Sequence, residues 1–170
     1  MGGKIDKVKK IKILLTDVDC VLTDGGMYYS KEGDQMKKFH TRDGMGVTLL
    51  KRLDIHTIII TKEKTQMVKK WAKKMKVEKL YDGIIKKEDL LEKICKLYHT
   101  SPEEVGYIGD DVNDMELLKK VGFSSTPNDG ISHVKKIVDY ICTKKGGEGA
   151  FREVVDLIIS VKHPNTVKFY

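Results

Sequence analysis

Asp17 and Asp19 stand one residue apart, directly after the apolar run that begins at Ile11, in Ile11-Lys12-Ile13-Leu14-Leu15-Thr16-Asp17-Val18-Asp19-Cys20-Val21-Leu22-Thr23-Asp24-Gly25. A short Ile- and Leu-rich run followed by acidic residues and then glycine reads as a buried strand that delivers carboxylates to the loop at its C-terminal end. Open α/β sheets bind their ligands at that end. Two carboxylates so placed can share a hard cation such as Mg²⁺, one directly and a nearby backbone carbonyl helping, because oxygen ligands suit that ion. With their charge neutralised, one Asp can attack a phosphorus atom while the other handles a proton. Taken alone, the fragment is equally satisfied by acidic residues that only cap the next turn.

The rest of the chain repeats the pattern. Val105-Gly106-Tyr107-Ile108-Gly109 runs straight into Asp110-Asp111-Val112-Asn113-Asp114, a second strand ending on carboxylates. Thr57-Ile58-Ile59-Ile60-Thr61 is a β-branched run of the kind found in a central parallel strand, and it ends on a hydroxyl. A lysine at 86 or 87 lies between them. In a parallel sheet these strand ends converge on one edge, so residues distant in sequence meet in one pocket. Together they supply a nucleophile, carboxylates for a cation, and hydroxyl and ammonium donors for phosphate oxygens, the parts of a phosphoryl-transfer site.

Holding these residues in place requires strands alternating with helices. Residues 26–40, with aromatic-containing arms around Lys31-Glu32-Gly33-Asp34, read as a β-hairpin inserted after the first strand. Its Met27, Tyr28, Tyr29, Met36 and Phe39 make it a candidate subunit interface. A helix is expected from Asp43 through Leu53, and a second carries Met67, Val68, Trp71, Ala72 and Met75 at core-facing spacing. A short strand at Val77 to Tyr81 and a helix through Leu90, Ile94 and Tyr98 follow. Ser101-Pro102-Glu103-Glu104 carries a helix-start pattern. Minor strands are expected at Val121 to Ser125 and Val138 to Cys142, and a last helix at Phe151 to Ile159. The alternation predicts a single doubly wound parallel α/β sheet over residues 11–160, with a basic lead-in at 1–10 and a C-terminal tail at 161–170 that is mobile from His163 on.

Composition excludes several classes. At 170 residues the chain suits one α/β domain; it is 40% hydrophobic and 34% charged. A formal charge of +7 would suit an anionic ligand or nucleic acid, but the lysines are spread along the whole chain, so no nucleic-acid partner is expected. The three cysteines show no paired spacing for zinc or a disulfide framework, and a reducing, cytoplasmic location follows most simply. No apolar leader region or membrane-length run is present, so no membrane association is expected. The five histidines are scattered, and neither a serine-nucleophile elbow nor a P-loop occurs.

Asp17-Val18-Asp19, Thr61, Lys87 and Gly109-Asp110-Asp111-Val112-Asn113-Asp114 resemble the four motifs of the haloacid dehalogenase superfamily of phosphatases. Asp17 to Gly25, Arg42-Asp43-Gly44-Met45-Gly46, Ile59 to Thr65 and Gly146 to Glu153 further resemble its small capless branch, the 3-deoxy-D-manno-octulosonate 8-phosphate (KDO 8-phosphate) phosphatases. The resemblance implies that Asp17 is the nucleophile that forms an aspartyl-phosphate. It implies that Asp19 protonates the leaving sugar oxygen and then activates water, and that its backbone carbonyl holds Mg²⁺ together with Asp17 and Asp110. Thr61 and Lys87 would bind the transferring phosphoryl group, with Lys87 preferred over Lys86, and Arg42 would contact the substrate. Asp111, Asn113 and Asp114 would support the metal or the loop, and capping a helix serves Asp114 as well. The substrate would be a phosphorylated sugar acid and the assembly a homotetramer, built through the hairpin and closed by a neighbour's hairpin and C-terminal segment. The stretch 146–149 would be a mobile lid, although a plain loop explains its glycines too.

Two departures stand out. Cys20 occupies a position where the family usually has Gly, and Lys62-Glu63-Lys64-Thr65 replaces the usual Gly-Arg after Thr61. The latter resembles relatives acting on nine-carbon 2-keto sugar acid 9-phosphates, in which Glu63 and Lys74 would contact the sugar acid; as one lysine of a basic helix face, Lys74 needs no such role. A catalytically silent assembly module is a further alternative, against which the retained Asp17, Asp19, Thr61, Lys87 and Asp110 argue. A phospho-acceptor receiver domain fits poorly, because its acceptor Asp lies on a later strand.

Overall fold

The structure, a computed structural model, describes residues 2–164. Six parallel strands form one sheet: β1 (Ile13–Thr16), β4 (His56–Ile60), β5 (Lys79–Tyr81), β6 (Val105–Ile108), β7 (Phe123–Thr126) and β8 (Tyr140–Ile141), in the spatial order β5-β4-β1-β6-β7-β8. β1 lies in the interior, with Thr16 opposite Ile59 on one side and Ile108 on the other. Every residue of β1 is buried, which accounts for its continuous apolar run.

The strand's two-residue alternation divides the core into two layers. Leu14, Ile59 and Ile108 pack with α2 (Thr41–Arg52), α3 (Gln66–Met75) and α7 (Ala150–Lys162). Ile13, Leu15, Ile58, Ile60 and Tyr107 face α4 (Leu91–Leu97), α5 (Met115–Lys120) and the one-turn α6 (Ser132–Lys135). The sheet is thus covered on both faces, as the doubly wound expectation requires.

The first ten residues are more than a lead-in. Gly2–Lys10 form helix α1, whose fully buried Val8 joins the first core layer against α7. The lysine cluster masks this single apolar anchor in the sequence. Lys162 Nζ ties the same corner together, donating to the carbonyls of Lys9 at 3.1 Å and Ile11 at 2.7 Å. β7 is fully buried between β6 and β8, so it is an interior strand and not a minor one. The last helix runs three residues past the expected Ile159, to Lys162; within the expected tail, residues 165–170 lie outside the described residues.

The hairpin is present as β2 (Tyr28–Ser30) and β3 (Gly33–Met36), a separate antiparallel pair. A bridge between Thr23 and Phe39 and a stack of Phe39 on Trp71, with ring centroids 4.8 Å apart, seat its base on the main domain. Met27, Tyr28, Tyr29 and Met36 remain exposed. Among the described residues no other insertion interrupts the sheet after β1, and no helix is long and apolar enough to cross a membrane.

Candidate active site

β1 ends at Thr16, and the backbone N–H of Asp17 continues the ladder by donating to Ile108 O at 3.0 Å. The chain then turns back tightly, with the N–H groups of Val21, Leu22 and Thr23 all directed at Val18 O. Val18, Val21 and Leu22 are buried, so this acidic loop is fixed by its own apolar residues. The turn places Cys20 at φ +61°, a left-handed conformation that favours glycine. The chain keeps the geometry with a cysteine there. Burial, and then the charges of Asp110 and Asp19, push its thiol up to about 12.

Two consecutive glycines of the 140s loop lean on the same turn. A Cβ at Gly146 would strike the carbonyl of Cys20, and one at Gly147, where φ is +65°, would strike the backbone of Thr23 and Asp24. Gly147 N–H donates to Val21 O at 3.0 Å, and Gly146 N–H to Asp129 Oδ1 at 2.9 Å. The stretch expected to be a lid is therefore, at its first two glycines, a buried buttress of the acidic loop.

Asp17 is almost wholly buried and its Oδ2 lies 2.9 Å from Lys87 Nζ. Lys87, in a 3-10 turn that leads into α4, is fully buried and also reaches Asp114 Oδ1 at 2.6 Å and Tyr107 Oη at 3.3 Å. Lys86 points to solvent, so the choice between the two lysines is decided by burial. Tyr107 O–H donates to Asp114 Oδ1 at 2.5 Å, and Asp114 Oδ2 accepts from the N–H groups of Asp110 and Asp111. Asp114 thus both fixes the second acidic loop and holds Lys87 in place.

Asp17, Asp110 and Asp114 bring carboxylate oxygens within 4.8 Å of one another, with Lys87 as the one ammonium among them. Burial pushes the Asp17 carboxyl up to about 7 against the pull of Lys87, and pushes Asp110 up to about 8 with the charges of Asp114 and Asp17 adding to it. Lys87 stays charged: burial opposes its ammonium, but Asp17 and Asp114 hold it above the ordinary lysine value. Both Asp114 oxygens are engaged, whereas Asp17 and Asp110 keep oxygens for a further partner. A buried, all-oxygen set with surplus negative charge fits a hard divalent cation.

Above this cluster lies a cavity of about 190 Å³ lined by Asp17, Asp19, Thr61, Glu63, Asp110 and Asn113, among others. Thr61 is buried and fixed by backbone hydrogen bonds, its N–H to Tyr81 O and its carbonyl from Ile84 N–H. Asp19 Oδ1 accepts from Lys37 Nζ at 2.7 Å, with the Thr23 hydroxyl 3.3 Å away. Burial works against the Lys37 charge, but Asp19, then Asp34 and Glu63, keep its ammonium above the ordinary lysine value.

The structure therefore gathers Asp17, Asp19, Thr61, Glu63, Lys87 and Asp110 at one edge of the sheet. It does not bring Arg42 or Lys74 there within one chain. Arg42, exposed in the first turn of α2, lines a separate cavity of about 510 Å³ with Lys144, Glu148 and Arg152. Lys74, exposed on α3, lines another of about 170 Å³ with Phe39 and Trp71. Tyr107 and Lys37 escaped the sequence reading. Tyr107 was hidden as one more apolar strand residue. Lys37 looked like one of two adjacent hairpin lysines, of which Lys38 is 55% exposed and Lys37 only 8%.

A parallel α/β sheet with carboxylates, a hydroxyl and a buried lysine at its C-terminal edge defines a class of phosphoryl-transfer hydrolases. A sequence model of the haloacid dehalogenase-like hydrolases matches residues 47–153. The chain is 37% identical over 159 residues to 3-deoxy-D-manno-octulosonate 8-phosphate phosphatase KdsC of Escherichia coli K12, spanning 91% of this chain and 82% of that protein. It is 32% identical over 161 residues to the Haemophilus influenzae KdsC, spanning 95% and 89%. The crystal structure of 3-deoxy-D-manno-octulosonate 8-phosphate phosphatase from Moraxella catarrhalis, in complex with magnesium, phosphate and KDO, superposes with a TM-score of 0.92 at 34% identity, over 95% of this chain and 93% of that one. The chain is a haloacid dehalogenase-like hydrolase. Within that superfamily it belongs to the capless family of the KDO 8-phosphate phosphatases.

Proposed function

We propose that this chain is an Mg²⁺-dependent phosphatase that hydrolyses the phosphomonoester of a 3-deoxy 2-keto sugar acid, converting KDO 8-phosphate to KDO and phosphate. The observation that carries the reading is the contact of Asp17 with buried Lys87, beside Asp110 and beneath a cavity lined by Asp19 and Thr61. An Asp17 oxygen attacks phosphorus, the bond from phosphorus to the sugar oxygen breaks, and Asp19 gives that oxygen a proton. Water then attacks the aspartyl-phosphate, Asp19 takes up the proton, and phosphate leaves with the Asp17 carboxylate restored. Thr61 donates to a phosphoryl oxygen, and the Lys87 charge behind Asp17 offsets the negative charge that gathers on the phosphoryl group. Asp17, Asp110 and the backbone carbonyl of Asp19 are the residues that would hold Mg²⁺, which when bound supplies further neutralisation of phosphoryl charge. Arg42 and Lys74 reach a substrate only if a neighbouring copy presents them, which accords with a homotetramer joined through the exposed hairpins. The assembly would work in the cytoplasm.

A second reading is favoured by one observation: Glu63 lines the same cavity as Asp17, Asp19 and Thr61. By that reading the chemistry is the same and the substrate is a nine-carbon 2-keto acid 9-phosphate. The test is phosphate release with Mg²⁺ from both compounds, compared as kcat/KM on one preparation, with EDTA and Asp17→Asn as controls. Preference for KDO 8-phosphate supports the first reading; preference for the nine-carbon compound makes Glu63 a specificity residue. Asp17→Asn should abolish turnover while the fold is retained, and normal activity in that variant would remove the covalent mechanism. Release from neither substrate leaves the silent assembly module.

A further inference from the structure

Lys37 belongs to the hairpin, yet its side chain is buried where its neighbour's is in solvent. The Thr23–Phe39 bridge and the Phe39–Trp71 stack fix the chain two residues further on, which directs Lys37 inward across the acidic loop. Its ammonium is 2.7 Å from Asp19 Oδ1 and 3.7 Å from Asp34 Oδ2, with Glu63 as the third acidic neighbour. The Thr23 hydroxyl approaches the same Asp19 oxygen at 3.3 Å, and Gly25 N–H in turn reaches the Thr23 hydroxyl at 3.4 Å. Both donors therefore converge on Oδ1.

We propose that Lys37 is a positioning residue: by holding Asp19 Oδ1 it fixes the carboxyl's rotation, so that Oδ2 is the atom that exchanges protons with the reacting groups. The inference rests on the phosphatase reading above and deepens it. In the first step the Oδ2–H bond breaks and the proton passes to the departing alkoxide oxygen as its bond to phosphorus breaks. In the second, Oδ2 takes a proton from the attacking water. Lys37 neither gains nor loses a proton in either step. Its work is geometric, and it makes the seating of the hairpin a condition of proton transfer at the site.

A misdirected Asp19 harms a reaction in proportion to how much its leaving group needs a proton. The test compares wild type, Lys37→Met and, as a control on hairpin seating, Lys38→Met, by kcat/KM on KDO 8-phosphate, phenyl phosphate and p-nitrophenyl phosphate. General acid assistance contributes ~10²- to 10⁴-fold where it is needed. Lys37→Met should lose at least ~10-fold on KDO 8-phosphate, less on phenyl phosphate, and under ~3-fold on p-nitrophenyl phosphate, whose leaving group departs without a proton. Lys38→Met should match wild type on all three. Equal losses for Lys37→Met on every substrate would mean that it only seats the hairpin, and would overturn the proposal. Loss on KDO 8-phosphate alone, as a raised KM with kcat kept, would mean carboxylate recognition and overturn it too. A wild type active on the two aryl phosphates but not on KDO 8-phosphate ends the KDO 8-phosphate reading only, because the aryl pair still judges Lys37. A wild type inactive on all three overturns both.

Discussion

At Asp17, burial and neighbouring carboxylates oppose ionisation while Lys87 favours it, and the carboxyl settles at about 7, with Asp110 at about 8. In the unfolded chain both would titrate at 3.8. Without a cation the folded chain therefore keeps protons that the unfolded chain has released, so these two groups contribute most stability below pH 3.8 and lose it as pH rises toward 8. A bound divalent cation displaces those protons. The rise in melting temperature on adding Mg²⁺ should thus be larger at pH 8 than at pH 5, with proton release seen by calorimetry in buffers of different ionisation enthalpy. An Mg²⁺ effect independent of pH would contradict this account. Asp114 offers a second check at this scale, since it satisfies Lys87, Tyr107 and two backbone N–H groups while wholly buried. Asp114→Ala leaves a buried ammonium short of a partner and should cost about 3–5 kcal/mol in urea unfolding. A loss within experimental error would show that the network is replaceable by water.

The 146–147 segment rests closely on the loop after β1. Gly147 combines a positive φ with backbone contact, so a methyl group there meets both conformational strain and the Thr23 carbonyl carbon at 2.6 Å. Gly147→Ala should destabilise the chain by more than about 1 kcal/mol and, by displacing the turn that carries Asp19, lower kcat. Unchanged unfolding and turnover would mean that this segment lifts away freely, as a lid would. The same turn holds Cys20 in the left-handed region. Its side chain is tolerated there because the sulfur packs over Gly25, where no Cβ competes for the space.

At the scale of the molecule, four exposed apolar side chains, Met27, Tyr28, Tyr29 and Met36, gather on and beside the hairpin, with Met27 73% and Tyr29 63% exposed, while Ile85, Leu97 and Val112 are exposed singly elsewhere among the described residues. A surface of that kind is a liability for a solitary chain and a ready contact between copies. If the proposed homotetramer is joined through these hairpins, replacing both Met27 and Tyr29 by Glu should reduce the mass measured by light scattering from four chains toward one. If the assembly presents Arg42 and Lys74 to a neighbour's cavity, the same variant should raise KM for the sugar phosphate. A wild type that runs as a single chain at micromolar concentration would remove both expectations.

Asp17, Asp19, Thr61 and Asp110 were legible in the sequence because each follows a short β-branched or Leu-rich run. A parallel sheet necessarily brings the ends of such runs to one edge. The covering of both sheet faces and the inserted hairpin were legible for the same reason, since run length and alternation are local properties. Helix α1 was not, because one buried valine among lysines carries no periodic signal. Local pattern also left open which of Lys86 and Lys87 turns inward, and it hid Tyr107 among core residues. It could not pair Lys37 with Asp19 across 18 residues, show that Gly146 rests on the Cys20 carbonyl, or place Arg42 and Lys74 in cavities of their own. Those are contacts between segments, set by how helices and loops pack in three dimensions. The sequence alone determined that Asp17, Asp19, Thr61 and Asp110 reach one edge of the sheet; only the tertiary structure decided what holds each of them there and which lysines join them, because a strand's direction is fixed by its own residues and a side chain's partner by another segment's position.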